Sequence, residues 1–96
     1  MPTYIAFVNW TDQGIRNVKD TVQRRDGAAE LAQKYGSSLQ LYWIMGPYDL
    51  VAIIEAPDDK SASAFALEVG SGSSVRTTMT RAYDRDEMSE IIEKLD

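Results

Sequence analysis

Residues 46–56, Gly-Pro-Tyr-Asp-Leu-Val-Ala-Ile-Ile-Glu-Ala, set a tight turn directly against a strand too apolar to leave either face in water. Side chains alternate across a strand, so Leu50, Ala52 and Ile54 project to one face and Val51 and Ile53 to the other. A strand with one wet face alternates apolar with polar residues, whereas one that is apolar on both faces has to be covered twice. Helices can supply one cover, and the second has to come from elsewhere.

The flanking segments supply the partners of this strand. Residues 3–10, rich in aromatic and β-branched types, predict a first strand that opposes Tyr4, Ala6, Val8 and Trp10 to Ile5, Phe7 and Asn9. Thr11 or Asp12 can cap a helix carrying Ile15, Val18 and Val22 on one side and continuing through Ala28, Leu31, Ala32 and Tyr35 to a stop at Gly36. A break in it is expected at Arg24-Arg25-Asp26-Gly27, because glycine inside a helix costs about 1 kcal/mol relative to alanine. Residues 38–45 predict a second strand, joined to the third by a hairpin through Gly46 and Pro47. Asp58 caps a second helix in which Ala62, Phe65, Ala66 and Val69 recur at helical spacing before Gly70 and Gly72. Residues 74–83 alternate as a fourth strand, and Asp84 to Glu87 has the spacing of a capping box ahead of an amphipathic helix with Met88, Ile91, Ile92 and Leu95.

This order predicts an α+β fold, the ferredoxin-like βαββαβ sandwich with a C-terminal helix. Right-handed crossovers put both long helices on the same side of a four-stranded antiparallel sheet. The opposite face keeps half of the apolar strand positions, and a short last helix covers only part of it. A second copy packed sheet to sheet is the larger solution, so a homodimer forming a dimeric α/β barrel is expected, with higher oligomers open to it.

Composition narrows the chemistry. A chain of 96 residues fits a single domain over 1–96, whose core is marginal enough for a partner subunit to matter. The net charge of -5, without a basic cluster beyond Arg24-Arg25, argues against a nucleic-acid partner. No apolar run approaches the roughly 20 residues of a membrane helix, so no membrane partner is expected and the cytoplasm is the expected location. Absence of cysteine and histidine excludes thiol nucleophiles, histidine bases, a haem histidine and the usual zinc ligands. No cofactor and no metal are expected. Asp58-Asp59 is accounted for by helix capping, and the stretch from Gly70 to Ser74 lacks the lysine and the strand-to-helix context of a phosphate loop.

The hairpin from Gly46 to Asp49 with Glu55-Ala56-Pro57-Asp58-Asp59, the early segment from Thr11 to Asp20, and the late Val75-Arg76-Thr77-Thr78 together resemble the GYD-domain family over residues 3–84. The resemblance implies a small bacterial member of the dimeric α/β-barrel superfamily, most of whose GYD members have no assigned activity. Two relatives at superfamily level imply different function classes. Ligand-binding domains of leucine-responsive regulators resemble this chain at the hairpin, where a similar turn helps to form an effector site. Cofactor-free monooxygenases share the fold and hold an aromatic substrate with Asn, Trp, Tyr and Arg side chains; no motif of theirs maps onto residues here.

Candidate ligand-binding residues follow from the pattern. Asp49 at the head of an apolar strand reads either as a base or anchor, paired with Arg76 or Arg81, or as an acceptor for turn N–H groups that fixes the hairpin. Tyr48 can donate its hydroxyl to a ligand or pack at a dimer edge. Trp43, with Trp10, can line a cavity or fill a core; Asn9 is a polar group on an apolar face that needs partners. Arg76 can present a cation to a carboxylate, or belong to a solvated edge. The expected function is binding of a small, partly apolar molecule by a homodimer. The alternatives are a cofactor-independent monooxygenase or isomerase using Asp49 or Asn9 with Tyr48 or Arg76, and a structural or assembly protein.

Overall fold

The structure, a computed structural model, describes residues 1–95, so residue 96 of the expected domain lies outside it. Its strands are β1 (Thr3–Trp10), β2 (Ser38–Trp43), β3 (Leu50–Glu55) and β4 (Val75–Ala82), and its helices α1 (Asp12–Arg16), α2 (Thr21–Lys34), α3 (Asp59–Ser71) and α4 (Arg85–Glu93). Among the described residues the strands form one sheet in the order β2-β3-β1-β4, antiparallel at every junction. Together with α2 and α3 this is the expected ferredoxin-like α+β sandwich.

Register decides which side chains share a face. Tyr4 stands opposite Ile54, Ala6 opposite Ala52 and Met79, and Val8 opposite Leu50 and Thr77. Tyr4, Ala6, Val8, Leu50, Ala52 and Ile54 are buried, and Phe65 and Ala62 from α3 and Ala32 from α2 join them. Each fully buried large side chain here stabilises the fold by about 1.5–3 kcal/mol. On the other face, Ile5 lies opposite Ile53 and Thr80, and Phe7 opposite Val51 and Thr78. The four apolar residues of that second group are only half-buried.

Local signals place the helix ends. The Thr11 side chain accepts from the Gly14 N–H at 3.1 Å, Asp58 from the Ser61 N–H at 2.7 Å, and Asp84 with Glu87 completes the capping box. Helix α3 runs through Gly70 to Ser71, two residues short of the Ser73 that takes a φ of 67°.

Two sequence expectations are corrected. The helical break falls at Asn17 and a 3₁₀ turn over Val18–Asp20, while Gly27 lies in the interior of α2. The α1 helix ends because Asn17 leaves helical geometry, with φ -106° and ψ 29°; packing of α2 on the sheet outweighs the weak preference of one glycine. The hairpin is also longer than a Gly-Pro turn. Strand β2 stops at Trp43, and residues 44–49 connect it to β3. Pro47 has no N–H to extend the ladder, and Gly46 takes a φ of 144°.

Candidate functional site

The sheet side chains facing α2 and α3 do not fill the space between the layers. Ala6 and Ala52 occupy the middle of the two central strands, and Gly27 and Ala28 of α2 and Ala66 of α3 stand across from them. Layers roughly 10 Å apart need larger residues than these to close. A cavity of about 380 Å³ results, partly open to solvent. Its walls are mostly apolar, with Trp10, Leu31, Leu39, Leu41, Phe65 and Met79 among them. Thr21, Ser74, Thr77, Arg24 and Arg25 make up the polar part of its lining; no carboxylate is among its described lining residues.

Helix α2 is pinned at both ends. At one end the Tyr35 hydroxyl and, at 3.0 Å, the Lys34 ammonium donate to Glu68, joining the end of α2 to α3, and the Tyr35 and Phe65 rings lie 6.4 Å apart. These donors hold the Glu68 carboxyl below its ordinary range, the tyrosine hydroxyl being the stronger influence. The same hydrogen bond pushes the Tyr35 phenol up. At the other end, the Trp43 indole N–H donates to Thr21 Oγ1 at 3.0 Å, tying the edge strand to the start of α2. The Thr11 N–H donates to the Ser74 carbonyl at 3.0 Å.

None of the five sequence-derived candidates lines this cavity. Asn9 and Arg76 are direct neighbours in register on the opposite face of the sheet. Tyr48 joins them there through its ring, 5.0 Å from that of Phe7. Trp43 lies on the helix side, 41% exposed and engaged with Thr21. Asp49 is bound into backbone: its carboxylate accepts the Trp10 N–H at 2.9 Å, its N–H donates to Val8, and its carbonyl accepts from Ile44. Residues 44–49 thereby dock on the end of β1.

Arg24 and Arg25 were read as a helix break rather than as lining. Their signal is the spacing Thr21, Arg24, Arg25, Ala28, Leu31, Ala32, which is one face of a helix. A second polar cluster sits at the far end of the sheet. The buried Tyr4 donates its hydroxyl to Asp59, which together with burial pushes its pKa up to about 12. Arg81 lies 5.6 Å from the Tyr4 ring centre and pairs with Glu87 at 2.8 Å, which anchors the start of α4. Beyond that anchor Met88, Ile92 and Leu95 of the C-terminal segment are exposed.

A four-stranded antiparallel sheet with helices on one face, an apolar cavity between the layers and a second, uncovered apolar face define an α+β sandwich of ferredoxin-like class. The model of the GYD domain matches residues 4–92, and the chain belongs to that family. A Thermus thermophilus protein named glutamine synthetase and cystathionine beta-lyase binding protein is 32% identical over 84 residues, covering 85% of this chain and 88% of that one. A crystal structure of a Thermus thermophilus protein matches with a TM-score of 0.58 at 21% identity, over 88% of this chain and 95% of the other. The leucine response regulatory protein of Mycobacterium tuberculosis matches with a TM-score of 0.65 at 13% identity. That match covers 86% of this chain but 51% of the regulator, and at such identity it speaks for the fold alone. No helix among the described residues is long and apolar enough to cross a membrane.

Proposed function

We propose that the protein is a homodimeric binding module that holds one small, largely apolar molecule in the sheet–helix cavity of each protomer and does not transform it. The observation that carries this reading is the 380 Å³ apolar cavity, within the range of small-molecule sites. Its described lining includes hydroxyl residues and two arginines but no carboxylate to serve as a base near neutral pH. An oxygenase or isomerase using Asp49 or Asn9 is disfavoured, because the Asp49 carboxylate is committed to the Trp10 N–H and Asn9 lies across the sheet. Dimerisation is supported by the uncovered face, where Ile5, Phe7, Val51 and Ile53 adjoin one another and Tyr42 is 56% exposed. Packing two such faces together leaves both cavities accessible, since they lie on the far side of each sheet.

Native mass spectrometry of protein purified from its own host tests both parts. The expected species is a dimer carrying retained small molecules, and Ala66→Phe, which fills the cavity, should release them while the dimer persists. A ligand-free dimer that takes up no apolar probe would refute the cavity reading. A monomer in light scattering at micromolar concentration would refute the dimer. A second reading, docking on metabolic enzymes, is favoured by the name of the 32% identical relative. Its test is co-purification of a defined enzyme at fixed stoichiometry, abolished by charge substitutions on the uncovered sheet face or on α4.

A further inference from the structure

The inner stripe of α2 is not uniformly apolar. Thr21, Arg24, Arg25 and Ala28 follow one another at steps of three, one and three residues, so all four lie toward the same face, and all four line the cavity. The stripe continues with Leu31, also in the lining, and the fully buried Ala32. The helix therefore contributes a hydroxyl residue and two arginines to the lining near its N-terminus and apolar residues farther along.

Two features set these cations apart from ordinary surface charges. Arg24 has no hydrogen-bond or ion-pair partner among the described residues although it is only partly exposed, and Arg25 reaches just its sequence neighbour Asp26, at 3.2 Å. No described acid shares the cavity with either of them. Arg24, unpaired among the described residues and beside Arg25 on a low-polarity cavity, favours an anion held between the two side chains. Thr21 adds a donor, because its oxygen already accepts from the Trp43 indole and its own O–H remains free to give.

Resting on the proposed cavity function, we propose that the ligand is an amphiphilic monoanion, an aliphatic or aromatic carboxylate whose apolar body fills the space beside Leu31, Phe65 and Met79. Its carboxylate is held by Arg24, Arg25 and the Thr21 hydroxyl. Arginine suits that role because its planar fork meets a carboxylate with two parallel hydrogen bonds. The protein as a whole carries a net charge of -5, so attraction of an anion has to be local to these residues.

Three probes with the same eight-carbon body separate the possibilities by calorimetry: octanoate, octanamide and octylammonium. Octanoate should bind about tenfold more tightly than octanamide, with octylammonium weakest, and the advantage should shrink as salt is raised. Arg24→Gln and Arg25→Gln should each remove most of that advantage while leaving octanamide affinity unchanged; Arg16→Gln, an exposed α1 substitution of equal charge change, should leave it intact. Equal affinity for octanoate and octanamide would overturn the anion assignment and leave the cavity function standing. The same holds if the preference survives both α2 substitutions. Failure of all three probes to bind the folded protein would overturn both.

Discussion

Adding a single methyl group to two different glycines should move stability in opposite directions. Gly14 is buried in α1 where this short helix crosses the loop before β4. A Cβ there would lie inside the contact envelope of the Ser74 carbonyl oxygen, 3.0 Å from its carbon and 3.3 Å from Trp10 Cβ. Both obstacles are backbone or close to it, so the loop and helix must part. An outward move of about 1 Å carries the Thr11 N–H to Ser74 carbonyl bond from 3.0 Å past the ~3.5 Å limit of a hydrogen bond. That bond contributes about 1 kcal/mol, and leaving its carbonyl unpaired adds about as much again. The Thr11 cap on the Gly14 N–H, worth about 1 kcal/mol, is strained by the same motion. Against these losses stands about 1 kcal/mol of helix propensity gained by alanine. Gly14→Ala should therefore destabilise by about 1–3 kcal/mol, lowering Tm by about 4–8 °C for each of them. Gly27→Ala, with no atom within 4 Å of its Cβ and an ordinary helical position in α2, should raise Tm through the same propensity gain of about 1 kcal/mol. Thermal unfolding followed by circular dichroism reads both. A Tm for Gly14→Ala at or above wild type would show that the α1–loop crossing is not the close contact described and would refute the argument.

Further outcomes follow from the polar contacts. Asp49→Ala should destabilise by about 1–2 kcal/mol in chemical denaturation by orphaning the Trp10 N–H, while binding of cavity probes stays at wild-type affinity; Asp49→Asn, which keeps an acceptor oxygen, should lose less. Because Glu68 titrates below its ordinary 4.5 in the folded protein, its contribution is fully present above that pH and is lost as the pH falls below it. Melting curves across the acid range should thus decline less steeply for Glu68→Gln than for wild type, and parallel declines would contradict the α2–α3 clamp. Tyr4 titrates upward, to about 12 from 10.0, so its contribution persists below pH 10.0 and fades as the pH rises through about 12. The highest phenolate step in an ultraviolet titration should disappear in Tyr4→Phe; its persistence would assign that step to another tyrosine.

The fold was legible because its signals are short-range and repeated. Alternation in residues 3–10 and 50–55, the capping residues Thr11, Asp58 and Asp84, and the two crossovers together leave few topologies for this element order. The hairpin was legible only as a turn, since the way residues 44–49 fold back on β1 depends on Val8 and Trp10, which are distant in sequence. The site was less legible for a related reason. A polar residue in an apolar strand stands out in a sequence, which brought Asn9 and Asp49 forward. A cavity is instead made by residues too small to stand out, and Ala6, Ala52, Ala28 and Ala66 come from four elements whose juxtaposition only the packed structure reveals.

That void also bears on how the protein behaves without a ligand. At ~24 cal/mol per Å³, a dry, sealed cavity of 380 Å³ would cost about 9 kcal/mol, comparable with the whole stability of ~5–15 kcal/mol expected of a small domain. A chain this short cannot hold such a space closed and empty. Because the cavity is partly open, solvent can enter it, and an apolar ligand body that displaces that solvent has the most to gain. A ligand that binds only the folded state then adds stability in proportion to the logarithm of its concentration over its Kd. The pinned ends explain why the space does not simply collapse: the Tyr35–Glu68 contact and the Trp43–Thr21 hydrogen bond fix α2 at both of its termini, leaving the small residues between them unable to draw the layers together.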